Sequence, residues 1–253
     1  MKRLRKLLGW GILSIALIAS PLQAAEVIRL SAPASMTDVL KKLISLYGVS
    51  GTHPQIVPNF GPSGAMAKQI NEGAPADLFI SANQKWMTFL RDEQRIAPTT
   101  EKELAGTTLV FVGKKNPAVT AMADIVKLKQ IAIGSPKSVP AGEYAAQAME
   151  RAGIYAQLER DKQLVLAKDV RQALTYAERG ETEGAFVYRT DALLATNAVI
   201  LFEVPQNFYD RVTYPIALTA DGAKKPEAMA FYAFLTGPEA MHVLAQYGFT
   251  TAN

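Results

Sequence analysis

A chain of 253 residues with no cysteine can use neither thiol chemistry, nor a disulfide, nor a thiolate-bound metal, so its fold must rest on its apolar core. Its formal charge of +4 comes from 27 Lys+Arg against 23 Asp+Glu, and four of the bases (Lys2, Arg3, Arg5, Lys6) stand together at the start without an acid among them. Setting those four aside leaves 23 bases against 23 acids, a balance that argues against a nucleic-acid partner, which calls for a basic surplus.

The four bases precede an apolar run from Leu7 to Ala19 and then Ser20-Pro-Leu-Gln-Ala24-Ala25, the layout of a secretory signal peptide. The expectation is a signal peptide over residues 1–24, a mature chain starting near Ala25 or Glu26, and a periplasmic location. The apolar run is short for a membrane span, and no later stretch resembles one. The 228 or so residues that remain suffice for one large domain or for two lobes. His53 and His242, the two histidines, lie far apart and read as surface residues, so no zinc site is expected.

Short β-branched or aromatic runs at 27–31, 56–60, 78–81, 108–112, 130–133, 164–167, 185–188, 200–204 and 212–218 alternate with helical patterns, which predicts an α/β fold with mostly parallel strands. The first helix carries Met36, Val39, Leu40, Leu43, Ile44 and Tyr47 at the helical period, with Ser35 as its N-cap. A second follows Phe60-Gly-Pro-Ser63-Gly64, turns Met66 and Ile70 inward and stops at Gly73; a third starts at Asn83, with Trp86, Phe89 and Leu90 as its stripe. Later helices start at Ala141, at Asp169-Val170 and near Asp191, and two proline-initiated helices, 226–235 and 238–247, close the chain. The last two have to pack on something formed earlier. If they return to the first lobe, two strands cross between lobes, with 109–112 and 214–218 as the candidates, and a hinge results.

Chemistry gathers at helix starts. After the β-type run ending at Gly134, Ser-Pro-Lys-Ser-Val-Pro140 leads into an alanine-rich helix with Ala141 and Gly142 in its first turn. First-turn N–H groups have no partner within the helix, the dipole adds positive character, and small side chains let an anion reach the backbone. Ser35 and Ser63 stand in the same kind of place, shortly after a strand. Asp169 can cap a helix and leave the Val170 N–H pointing outward, and Tyr188 offers a hydroxyl at a strand end. Taken singly, each also reads as an ordinary cap or core residue.

Seven segments in this order carry a wider likeness: Ser31-Ala-Pro-Ala-Ser35-Met-Thr, Phe60-Gly-Pro-Ser63, Gly73-Ala-Pro-Ala-Asp-Leu-Phe-Ile-Ser-Ala-Asn83-Gln-Lys-Trp86-Met, Val139-Pro-Ala141-Gly-Glu-Tyr-Ala, Asp169-Val170-Arg-Gln-Ala-Leu, Phe186-Val-Tyr188-Arg-Thr-Asp and Gln246-Tyr247-Gly-Phe-Thr250. Through them the chain resembles, over nearly its whole mature length, the periplasmic molybdate-binding proteins of ABC importers, which are type II solute-binding proteins. The resemblance implies two α/β lobes joined by a two-strand hinge with the ligand in the cleft: residues 25–107 plus 214–253 as lobe 1 and 108–213 as lobe 2. It implies oxyanion ligands at Ser35, Ser63, Ala141, Val170 and Tyr188, with hydroxyls from the serines and the tyrosine and backbone N–H groups from Ser35, Ser63, Ala141 and Val170. Molybdenum would be held only as the oxyanion, with no cofactor. Where relatives often carry a serine-rich run, this chain has Pro62 and Gly64 around Ser63, which leaves fewer spare hydroxyls.

The implied function is binding of molybdate, and of tungstate of nearly equal size, by a monomer that delivers it to an inner-membrane ABC permease. A dianion without protons needs donors only, so carboxylates should be absent from around it. The alternative is another oxyanion or a small organic acid, such as sulfate, phosphate or a carboxylate, on the same fold; for carboxylates Arg171 and Arg189 are the clamp candidates. An enzyme is not expected, because no Gly-x-Ser-x-Gly elbow accompanies Ser35 or Ser63 and neither histidine is placed as a base.

Overall fold

The computed structural model describes residues 27–49 and 54–251; the signal-peptide segment, the expected mature start and His53 lie outside the described residues. The chain opens with β1 (Val27–Pro33), a 3₁₀ turn at Ala34–Met36, α1 (Thr37–Val49), β2 (Gln55–Gly61), α2 (Ser63–Asn71), β3 (Leu78–Ile80), α3 (Gln84–Asp92) and β4 (Lys102–Thr107). It continues with β5 (Leu109–Gly113), β6 (Ile131–Gly134), α4 (Pro140–Arg151), α5 (Tyr155–Arg160), β7 (Leu164–Ala167), α6 (Val170–Arg179), β8 (Gly184–Tyr188), α7 (Arg189–Ala192) and β9 (Val199–Glu203). Then β10 (Val212–Leu218), α8 (Pro226–Leu235) and α9 (Pro238–Gln246) complete it.

Two five-stranded sheets result, ordered β2-β1-β3-β10-β4 and β7-β6-β8-β5-β9, each the centre of a lobe. Ile28, Leu30 and Ala32 alternate into the first core, where Val39, Leu40 and Leu43 of α1 meet them. Each such valine, leucine or isoleucine side chain contributes about 1.5–3 kcal/mol by leaving water. In the second lobe Phe111 stacks on Phe202 and packs edge-on to Phe186. Helices α8 and α9 return to pack on α1 and β10.

The strands are not mostly parallel. Only β2-β1-β3 and β7-β6-β8 run parallel; β10 is antiparallel to β3 and β4, and β5 to β8 and β9. The parallel trios are built through helical crossovers. Strands β5 and β10 instead enter their sheets directly from a passage between lobes, without a helical crossover, so nothing holds them to the parallel direction.

The passages also differ from expectation. The chain crosses at Thr108, between β4 and β5, and again over 204–211, between β9 and β10. The candidate strands 109–112 and 214–218 lie wholly inside a sheet, because each is paired on both sides and its ladder is satisfied there. The sequence pattern misses β4, an edge strand whose Lys102, Glu103 and Gly106 give no apolar alternation, and the short α5.

Ser35 is not the N-cap of α1. It sits inside the 3₁₀ turn, for which Pro33 occupies the cap position without a side-chain bond, and its oxygen is used elsewhere. Asn83 does cap α3, accepting from the Trp86 N–H at 3.3 Å, and Asp169 caps α6, accepting from the Gln172 N–H at 2.8 Å.

Candidate functional site

Between the lobes lies a small, nearly filled cavity, and Ser35, Ser63, Ala141, Val170 and Tyr188 all line it, with Pro33, Ala34, Pro62, Ala82, Val139 and Pro140 as much of the rest. Ser35 and Ser63 come from the first lobe, and Ala141, Val170 and Tyr188 from the second. No lysine or arginine is among the lining residues.

Three helices start here. Ser63 is the first residue of α2, Ala141 the second of α4 and Val170 the first of α6, so their N–H groups have no intrahelical acceptor. Pro62 and Val139 stand at the N-caps of α2 and α4 and make no side-chain cap bond. A side chain that cannot accept leaves those first turns for something in the cavity, and three positive helix ends favour an anion there. Asp169 is the one carboxylate in the lining, and it is turned to cap its own helix through Oδ1.

The α4 start owes its position to two glycines. A Cβ on Gly142 would lie 1.8 Å from the Gly134 carbonyl oxygen, so only glycine lets the first turn of α4 sit against the end of β6 and aim Ala141 at the cavity.

The hydroxyls are arranged as donors. Tyr188 is 1% exposed and its buried hydroxyl has no partner. An unmade bond of that kind costs about 1–3 kcal/mol, which an acceptor in the cavity would relieve. Burial raises the Tyr188 phenol well above its ordinary pKa, with the neighbouring Tyr214 and Tyr144 reinforcing the effect, so it remains a neutral donor. Ser63 Oγ accepts from the Ala82 N–H at 3.1 Å, and Ser35 Oγ accepts from Tyr214 Oη at 3.0 Å.

Several bonds tie the lobes across the cavity. The Gly64 N–H donates to the Ser138 carbonyl at 3.0 Å, Lys85 Nζ lies 3.1 Å from Glu143 Oε1, and Arg171 Nη2 lies 2.6 Å from Asp38 Oδ2. Arg171 Nε also lies 2.6 Å from Oδ1 of the fully buried Asp191, a contact of charges rather than an aligned hydrogen bond. Sequence reasoning missed Tyr214 and the Ala82 amide behind the serines, and it offered Arg171 as a clamp candidate only under the carboxylate alternative. It is already engaged by two carboxylates, and Arg189 pairs with Glu203 at 3.3 Å. His242 contacts Gln246 on the exposed face of α9, away from both serines.

Comparison with known proteins identifies the family to which the chain belongs. Residues 28–250 match the family described as bacterial extracellular solute-binding protein. The chain is similar to the molybdate-binding protein ModA of Escherichia coli (strain K12), 33% identical over 96% of each chain. It is equally similar to the ModA of Haemophilus influenzae, 33% identical over 99% of each chain. Among solved structures, the periplasmic molybdate-binding protein of Azotobacter vinelandii superposes with a TM-score of 0.81 over 89% of this chain and all of that one, at 23% identity, a likeness of fold.

Proposed function

Because the chain belongs to the bacterial extracellular solute-binding proteins, we propose that it binds molybdate outside the cytoplasm and presents it to the membrane permease of an ABC importer. The observation that carries this reading is the meeting of three helix N-termini and the unpartnered, buried Tyr188 hydroxyl in one cavity with no cationic side chain. Such a site suits a small tetrahedral dianion that only accepts. Ser35, Ser63 and Tyr188 supply hydroxyls, and Ser35, Ser63, Ala141 and Val170 supply N–H groups, about seven donors in all. At roughly 1.5–3 kcal/mol each, before the costs of desolvation and of closing the lobes, they are consistent with a Kd between about nanomolar and micromolar.

Tungstate, matched to molybdate in charge and nearly in size, binds the same donors. The first lobe comprises the chain through Thr107 and again from Val212 on, where β10 joins its sheet, and the second lobe the stretch between; residues 1–24 direct export and are removed, and the protein works as a monomer in the periplasm. Neutral donors hold the anion without an ion pair, which makes its release to a permease easier.

The carboxylate alternative is not favoured, since Arg171 and Arg189 already have acidic partners. Calorimetric titration of the mature protein with molybdate, tungstate, sulfate, phosphate and small carboxylates tests the reading. Saturable one-to-one binding of the first two at micromolar concentration or below is expected, and tighter binding of sulfate or a carboxylate would overturn it.

A further inference from the structure

Both serines that face the cavity have an internal donor behind the oxygen. The Ala82 amide can only donate, so at Ser63 the direction of the 3.1 Å bond is fixed and the serine's own hydrogen is left for the cavity. At Ser35 the donor is the hydroxyl of Tyr214, a fully buried residue of β10, 3.0 Å away. A phenol is a stronger donor than an alkyl alcohol, which favours the sense Tyr214 to Ser35. Burial keeps that phenol protonated far above ordinary pH.

Tyr214 is braced for this task. Its ring packs edge-on against Tyr188 at 6.0 Å and against Phe249 at 5.3 Å. Phe249 belongs to the C-terminal Gln246–Thr250 segment, which lies outside the cavity lining; bracing Tyr214 gives that segment a part in the site.

Building on the molybdate reading, we propose that Tyr214 is a specificity-determining positioning residue: by donating to Ser35 it turns that serine's own hydrogen toward the cavity, as the Ala82 amide does for Ser63. A serine hydroxyl free to rotate could accept a hydrogen bond from an anion that still carries a proton. With each serine oxygen already accepting one bond and its hydrogen turned to the cavity, a protonated oxyanion meets donor against donor at both serines, and a fully deprotonated one is the better match. The Tyr214 to Ser35 to anion chain also polarises the serine and strengthens its bond to the anion.

The test uses the mature protein with wild-type Tyr214, Tyr214→Phe, Ser35→Ala and the double variant, each checked for an unchanged fold by circular dichroism. Affinity is measured for molybdate and for selenate against arsenate, two anions of similar size of which only arsenate retains a proton near neutral pH. Tyr214→Phe is expected to weaken molybdate about tenfold in the presence of Ser35 and to change it less than about twofold in the Ser35→Ala background. It is also expected to shrink the selenate-to-arsenate preference about tenfold. An equal loss in both backgrounds, or an unchanged preference, would overturn the role of Tyr214 while leaving the binding reading intact. Wild-type protein that binds none of these anions would overturn both.

Discussion

Arg171 Nη2 lies 2.6 Å from Asp38 Oδ2, so the residue next to Val170 on α6 holds the first turn of α1 on the opposite side of the cavity. This bond exists only while the lobes are together. Both side chains are partly in water, which limits its worth to about 0.2–1 kcal/mol. Asp38→Asn should therefore weaken molybdate binding by up to about fivefold. The wild type should lose affinity on raising the salt concentration more than the variant does, because salt screens only the charged pair. Titration at low and high ionic strength checks this.

Asp191, on the other side of Arg171, is fully buried, and burial raises its carboxyl from the ordinary 3.8 to about 7. Arg171 opposes the rise, and the carboxylates of Asp38 and Asp169 add to it. Between about pH 4 and 7 the folded protein holds a proton here that the unfolded chain has lost, so this group's stabilising share is full at the acid end and fades as pH rises through about 7. Asp191→Asn, neutral throughout, should flatten the fall in melting temperature across that window. A variant whose melting curve keeps the wild-type slope would show that other groups govern it.

Tyr188→Phe should act in opposite directions on binding and on stability. Removing a hydroxyl that is buried without a partner when the lobes are together should stabilise the closed, ligand-free form by about 1 kcal/mol, while the lost donor should weaken molybdate binding by about 1–3 kcal/mol. Scanning calorimetry with and without molybdate reads both effects. Ser35→Ala should share the binding loss but not the gain, since its oxygen already accepts from Tyr214.

Gly64→Ala should hinder closure. A Cβ there would lie 2.5 Å from the Trp86 ring and 2.9 Å from the Ser138 carbonyl oxygen, which belongs to the other lobe. The lobes can avoid the second clash by staying apart, which also gives up the Gly64 N–H bond to that carbonyl. Small-angle scattering should show the wild type contracting on molybdate addition and the variant contracting less, with at least tenfold weaker binding (~1.4 kcal/mol or more). Full contraction of the variant would remove Gly64 from the closing surface.

This glycine also gives meaning to a departure noticed in the sequence. Pro62 and Gly64 leave Ser63 with fewer hydroxyls around it, but the structure uses both. Pro62 keeps the α2 cap empty, and Gly64 provides the bare backbone on which the second lobe rests.

What could be read from the chain alone was what short-range chemistry dictates. Pro140 before Ala141-Gly142, Asp169 before Val170 and a strand ending at Tyr188 each announce a helix start or strand end within a few residues, and those ends are where the cavity lies. Helical and strand periods likewise identified most of the elements, because each buries one face. Tertiary structure alone decided how these ends meet and what stands behind them. Tyr214 reaches Ser35 across 179 positions of sequence, β4 takes its place from pairing with β10 rather than from its own pattern, and Arg171 turns from a free cation into a tie between lobes only when Asp38 and Asp191 close on it. Such contacts depend on where two sheets come to rest against each other, and no local pattern of residues encodes that distance.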